Sequence, residues 1–373
     1  MNGITALVAE KRVVVVCGAG GVGKTTVSAA LALAGARQGR RVLVLTIDPS
    51  KRLAETLGVS QNLPEPLDLD EATQRRAGIR APGNLSAWLI NPTAVAQRVV
   101  GGLKEDPGVV QGLLQNRIFK NLSQMIAGMQ EYTAMESLHQ LLASGKWDLI
   151  VLDTPPSRNA LNFLEAPERL VRFLDGRILR MFLAKKGGLF RAATASLVWK
   201  VLGAVFGEEF FKEVRLFISG FGPLMDVLCG NAQEMKQRLQ GPDVAFLLVT
   251  SPAPQALEEA FDFHRRIEEM RLPFGGFILN RSRAEAGRRF PGPALVSGVP
   301  SEEQATALRK LIALAEEEQL QSAADEETLA QLQKMTGGGT VTMAVPERPG
   351  GVSNLEDLTQ LLRWLGAPAI RTR

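Results

Sequence analysis

The sequence predicts an α/β fold: a mostly parallel sheet flanked by helices, carrying an α-helical insertion subdomain. Three observations lead there. Short β-branched apolar runs recur along the chain, several are followed by apolar residues at helical spacing, and the first strand-to-helix junction is a glycine loop. Continuous apolar runs belong to strands covered on both faces, as the strands of parallel sheets are. With 373 residues and 45% hydrophobic content the chain can bury a large core, as two small domains or one domain with an insertion.

Val13–Val16 form the first strand, and "TTVSAALALAGARQG" beyond the glycines carries the period of a helix. Between them Gly18, Gly20, Gly21, Gly23, Lys24 and Thr25 satisfy G-x-x-x-x-G-K-[ST], which in this strand–loop–helix context defines a P-loop NTPase fold. Backbone bare of side chains lets the amides of Gly20, Gly21, Val22 and Gly23, continuing into Lys24, Thr25 and Thr26, converge on phosphate oxygens at the positive end of a helix. Lys24 reaches terminal phosphates, and the Thr25 hydroxyl is a magnesium ligand.

A second strand, Arg41–Pro49, ends in Asp48-Pro49, and a third, in "KWDLIVLDTPP", ends in Asp153. Ligands of open parallel sheets sit outside the carboxyl ends of the strands. Asp48 is thus placed to face phosphates, and Asp153 has the position of the acid that holds Mg²⁺ through water. An aspartate that merely caps its strand is the alternative for each.

The stretch from Lys24 to Asp153 is far longer than one strand–helix crossover needs. Residues 93–145 and 166–240 read as a helical insertion, leaving 1–92, 146–165 and 241–373 for the P-loop domain. In the second block Phe210, Val214, Phe217, Ile218, Phe221, Met225 and Leu228 share one face, which either packs into its own core or opens as a groove for a hydrophobic client. Strands resume at "DVAFLLVTSP", "FGGFILNRSR" and "TVTMAVPERPGG"; a polar helix over Ser301–Met335 precedes the last, closed by Gly337–Gly339. The amphipathic "NLEDLTQLLRWLG" packs on the sheet, its polar face carrying acids rather than the basic stripe of a membrane-surface helix.

Composition narrows the function. The formal charge of +4 is small and dispersed, so no nucleic-acid partner is indicated. The start lacks a secretory layout and no apolar run is long enough to span a membrane, which places the chain in the cytoplasm. Cys17 and Cys229 lie far apart and His139 and His264 stand alone, so no structural zinc site assembles within one chain.

With "CGAGGVGKTT", "LTIDPSKRLAETLG" and "EYTAMESLHQLLASGKWDLIVLDTPPSRNALNFLEAPERLVRFLD", the chain resembles the arsenical-pump and tail-anchored-protein-targeting ATPase family over nearly its whole length. It looks closest to the bacterial single-P-loop members, within the dimeric class that includes MinD, ParA and the nitrogenase iron protein. The resemblance implies ATP and Mg²⁺ as ligands. It gives Asp48 the role of orienting or activating the attacking water, Asp153 that of serving the magnesium, Asn280 that of reading the adenine edge, and the segment from Pro346 that of lining the base. It also implies a dimer, of two copies or with a related ATPase subunit, whose opening and closing reshapes the helical insertion for a hydrophobic or membrane-protein client.

Three departures qualify the resemblance. The family's loop reads GKGGVGKT, with a first lysine that reaches the partner's phosphates; Ala19 stands there in this chain. A methyl group cannot neutralise transition-state charge, so slow intrinsic turnover is expected unless Lys51, Arg52, Arg158 or a partner subunit supplies the cation. Ser157, Arg158 and Asn159 replace the family's Thr-Gly-His, and its zinc-bridging CxxC is absent. A non-hydrolysing, nucleotide-sensing module is therefore an alternative. Driving arsenite-type anion export is another, although two isolated cysteines make a poor metalloid site.

Overall fold

The computed structural model describes residues 3–46, 52–59, 65–90, 130–154, 230–284, 302–336, 340–348, 351–352 and 354–365, with positions 95, 98, 108, 111 and 227. Eight strands form one sheet in the order β3-β4-β2-β5-β1-β6-β7-β8. They are β1 Val13–Gly18, β2 Arg41–Thr46, β3 Leu67–Asp68, β4 Asn84–Leu89, β5 Leu149–Asp153, β6 Val244–Thr250, β7 Phe274–Ser282 and β8 Val341–Pro346. All neighbours pair parallel except β3, which runs antiparallel to β4 at one edge. The mostly parallel sheet flanked by helices is the predicted fold class.

The helices are α1 Ile4–Glu10, α2 Lys24–Arg37, α3 Arg52–Leu57, α4 Glu71–Arg76, α5 Gln130–Ser144, α6 Pro254–Glu269, α7 Glu302–Met335 and α8 Leu355–Leu365. A further helical segment covers residues 230–239. Side chains of a strand alternate between faces, and β1 sorts itself accordingly. Val13, Val15 and Cys17 enter one core with α5, residues 230–239, α6 and the end of α7. Val14 and Val16 enter the other with α1, α2, α3 and α8. Every residue of β1, β5 and β6 is buried, which is why these strands read as unbroken apolar runs. Helix α2 is buried nearly all round because the sheet lies on one side of it and α1, α3 and α8 on the other. Leu358, Leu361 and Leu365 are the buried face of α8, so the amphipathic closing helix packs as its pattern requires.

Two features were not visible in the sequence. Strand β4 was not legible, because polar Asn84 and Ser86 interrupt its apolar run. Buried Ser86 is satisfied there: its hydroxyl donates to Asp68 and accepts from Trp147 Nε1 at 3.0 Å. The second feature lies within the blocks assigned to the helical insertion. Helix α5 and residues 230–239 lie inside those blocks, yet Ala134, Met135, Leu138, Ala232, Met235 and Leu239 are buried in the sheet's own core. Few turn signals separate the insertion from these flanking helices, so the pattern alone merges them. The two are tied by Glu136, 3% exposed, whose carboxylate accepts from Asn231 Nδ2 at 3.1 and 3.2 Å. The apolar face from Phe210 to Met225 and residues Asp48, Lys51, Ser157, Arg158, Asn159, Leu228, Cys229 and Gly337–Gly339 lie outside the described residues, as does the side chain of Arg52.

Where β2 and β5 begin, Arg41 donates from Nη2 to Asp148 Oδ1 at 2.6 Å, from Nε to Oδ2 at 3.1 Å and from its backbone amide to Oδ2 at 2.9 Å. These bonds, the side-chain ones above all, favour the ionised carboxylate and pull its pKa down to about 2, with burial acting the other way. A carboxyl group whose folded pKa lies below its unfolded one contributes stability above the unfolded value and loses it as pH falls toward the folded one. Asp148→Asn is expected to lower thermal stability near neutral pH by no more than about 1 kcal/mol, the pair being solvent-exposed. The difference from wild type should close as pH falls from about 4 to about 2, measured by thermal denaturation at each pH.

Candidate functional site

Strand β1 delivers the glycine loop at the centre of the sheet's carboxyl edge. Gly18 closes the strand at φ 148°, where an added Cβ would lie 2.0 Å from the Val249 carbonyl oxygen of β6, so the chain can turn there only without a side chain. Gly20 and Gly21 are exposed, Val22 is buried, and Gly23 is the N-cap of α2 in the left-handed region at φ 95°. A Cβ on Gly23 would stand 2.2 Å from Asn280 Nδ2. The first residue of α2, Lys24, is buried at 7% exposure and its ammonium donates to the Ala19 carbonyl at 2.8 Å, folding the lysine back over the loop. Thr25 and Thr26 are half-buried in the first turn. Backbone amides at the start of a 14-residue helix and a lysine at the loop's centre make a receptor for an anion.

Asp153 lies beside it, at the end of β5 between β1 and β2, wholly buried. Three hydroxyls from two elements donate to its carboxylate: Thr25 Oγ at 2.8 Å and Ser28 Oγ at 3.3 Å from α2, and Thr46 Oγ at 3.1 Å from β2. Unpaired buried charge is costly, and these donors are what lets a carboxylate stand here. A threonine hydroxyl against a fixed carboxylate is a hard-oxygen donor set of the kind a magnesium ion takes, the ion retaining several of its waters. Thr25 and Asp153, the two residues predicted to serve the metal, are thus brought together. Thr46 and Ser28 were missed; as single hydroxyls in apolar runs, they read as ordinary core residues.

On the other side of the loop, Asn280 near the end of β7 is buried and donates Nδ2 to the Val22 carbonyl at 2.7 Å. That bond uses one of the two Nδ2 hydrogens and holds the side-chain amide against the loop. The chain just past Asn280 is held by Asp325 of α7, 6% exposed, which accepts from Ser282 Oγ at 3.1 Å and from the Arg283 amide at 2.5 Å. The sequence reading passed over Asp325. The available signal was an acid one turn before Leu329, on the helix face that carries Leu329 and Leu332. Pro346 ends β8, half-buried and in register with Ser282, and Arg348 behind it bonds the Asp357 carbonyl at 2.8 Å and Gln360 Oε1 at 2.7 Å, fixing that segment to α8. Loop, Asp153, Asn280 and Pro346 all belong to the carboxyl edge of one sheet.

The family-model comparison matches residues 11–286 to the anion-transporting ATPases, and the chain belongs to this family. Among similar curated proteins are an ATPase GET3 of Malassezia globosa, 28% identical over 180 residues, and a putative arsenical pump-driving ATPase 1 of Aquifex aeolicus, 24% identical over 265 residues. Those matches cover 46% and 67% of this chain and 50% and 58% of the relatives. An uncharacterized protein of Streptomyces coelicolor is 33% identical over 165 residues, covering 44% of this chain and 39% of its own length. The chain therefore spans between 39% and 58% of the length of these relatives. Among the described residues no helix is long and apolar enough to cross a membrane, and no group of three or more His, Cys, Asp or Glu side chains could hold a metal ion.

Cys17 ends the apolar part of β1 directly under the loop and is fully buried. Burial pushes its thiol up to about 12, against a smaller opposing effect of the Thr154 hydroxyl bond. Such a thiol holds a negligible thiolate fraction at neutral pH. Iodoacetamide at pH 8 should alkylate Cys17 at least about 100-fold more slowly in the native chain than in guanidinium, as followed by peptide mass spectrometry. Equal rates would contradict the burial.

Proposed function

We propose that the chain is an ATP-hydrolysing, cytoplasmic dimeric switch. In this reading the second subunit is another copy or a related ATPase, the helical insertion handles a hydrophobic or membrane-protein client, and intrinsic turnover is slow. The observation that carries the hydrolytic part is the joining of Thr25 to a buried, hydroxyl-fixed Asp153 beside Lys24. A site meant only to hold an anion needs the loop and the lysine but not that carboxylate.

The chain's own groups act as follows. Amides from Gly20 to Thr26 bind the phosphate oxygens, and Lys24 turns its ammonium from the Ala19 carbonyl onto the terminal phosphates. Asp153 orients the Thr25 hydroxyl and, with it, would hold magnesium, which when bound neutralises charge on the phosphates. Asn280 reads the adenine edge, its Oδ1 accepting from the amino group of the base while one Nδ2 hydrogen stays on the Val22 carbonyl. Pro346 and the residues after it border the base. Asp48 positions the attacking water and takes its proton.

Ala19 sets the rate. Its side chain is 6% exposed within the apolar cluster that includes Val22 and Val249, so position 19 offers no cation to any phosphate. Removing a cation of this kind from a phosphoryl-transfer site costs orders of magnitude in rate. The same feature supports the second reading, a non-hydrolysing nucleotide sensor. Anion export of the arsenite kind is supported least, since Cys17 is a buried, protonated thiol.

Phosphate release from MgATP tests the reading. Wild type should turn over slowly, Ala19→Lys about 10-fold or more faster, and Lys24→Ala at least about 100-fold slower than wild type. Phosphate release from the purified wild type that is indistinguishable from that of Lys24→Ala overturns hydrolysis and leaves the sensor.

A further inference from the structure

Strand β7 changes phase at its carboxyl end. Side chains alternate between the faces of a strand, so regular backbone would put Asn280 and Ser282 on one face. They lie on two: Asn280 bonds Val22 of the glycine loop on the α2 side, and Ser282 bonds Asp325 of α7, which packs on the opposite face. The register with β8 shows why, since Asn280 pairs with Val345 and Ser282 with Pro346, leaving Arg281 between them as an extra residue. A bulge beside a site re-aims a side chain, and this one leaves Arg281 exposed at the sheet's carboxyl edge.

Arg281 has φ 57°, in the left-handed region that glycine enters without strain and that bulges commonly fill with glycine. Among the described residues Arg271 is the other non-glycine with positive φ, at 53°, and a helix end accounts for it. Just beyond α6 its amide bonds the Glu268 carbonyl at 2.9 Å and the Leu272 amide bonds that of Ile267 at 3.0 Å. Arg281 lies inside β7 and has no such account. Strain of this kind persists where the surroundings over-determine it, and it gathers at ligand sites. Asp325 supplies the constraint, through Ser282 Oγ and the Arg283 amide. What the bulge retains is an arginine where glycine would fit better. Nearby Arg283 is paired with Glu318 and Glu347, whereas Arg281 makes no side-chain hydrogen bond or ion pair among the described residues.

We infer that Arg281 is a further nucleotide-binding residue, its guanidinium plane stacking on the base. The inference rests on the proposed placing of the base between Asn280 and Pro346, and it deepens that reading by adding a contact to the face of the ring. In the register Arg281 is the residue between those two. A planar guanidinium, exposed and unpaired, suits the face of a purine while Asn280 takes its edge.

Calorimetric titration of the full chain with MgATP and with magnesium tripolyphosphate, which has the phosphates and no base, tests it. Arg281→Gly should weaken MgATP about 10-fold and leave tripolyphosphate within about 2-fold of wild type. The same variant should melt at or above the wild-type temperature, because the strain is released. Arg281→Lys keeps the charge without the plane and should lose about as much ATP affinity. Equal MgATP affinity in wild type and Arg281→Gly, a parallel loss of tripolyphosphate affinity, or wild-type ATP affinity in Arg281→Lys overturns the stacking role alone. A wild type that binds neither ligand overturns the nucleotide reading with it.

Discussion

The site depends on one buried carboxylate. Asp153 stands in the middle of the sheet with no exposure, a place where an unsatisfied charge is untenable. Hydroxyls of Thr25, Ser28 and Thr46 make it tenable, and they come from the two elements that flank the end of β5. The same bonds therefore fix the start of α2, the end of β2 and the carboxyl edge of β5 against one another. Removing the carboxylate would leave three donors pointing into a dry space; removing the donors would leave a bare charge.

Around this point the glycine loop is held from both sides. Gly18 passes against the backbone of β6, and Gly23 against the Asn280 amide. Asn280 bonds Val22, and the residues that follow Asn280 are bonded by Asp325 near the end of α7. A continuous path of hydrogen bonds and packed backbone thus runs from the phosphate loop through β7 to the long helix.

The parts of the fold with a single physical signature were legible in the sequence. β1, β5 and β6 are buried on both faces and appear as apolar runs; the loop glycines are dictated by backbone conformation and close approach; α8 shows its buried leucines at helical spacing. Lys24, Thr25 and Asp153 could be named because motif and strand end coincide. Strand β4 escaped because Ser86 is buried through partners, Asp68 and Trp147, that lie far from it in sequence. Thr46, Ser28 and Asp325 escaped for the same reason: each matters through a bond whose other end the local pattern does not reveal. Helix α5 and residues 230–239 read like the rest of the helical blocks because a crossover helix and an inserted helix share one period, and packing on the sheet is not visible in that period.

The central claim is that a loop, a lysine and a hydroxyl-fixed carboxylate hold the phosphates of a nucleotide together with a divalent ion. Calorimetric titration of ATP into the wild-type chain and into Asp153→Asn, each with Mg²⁺ and with EDTA, tests it most directly. The account predicts that Mg²⁺ tightens ATP binding to wild type by about 10-fold or more and that the substitution removes most of this gain. Equal affinity of wild type with and without Mg²⁺, or no binding at all, would contradict it.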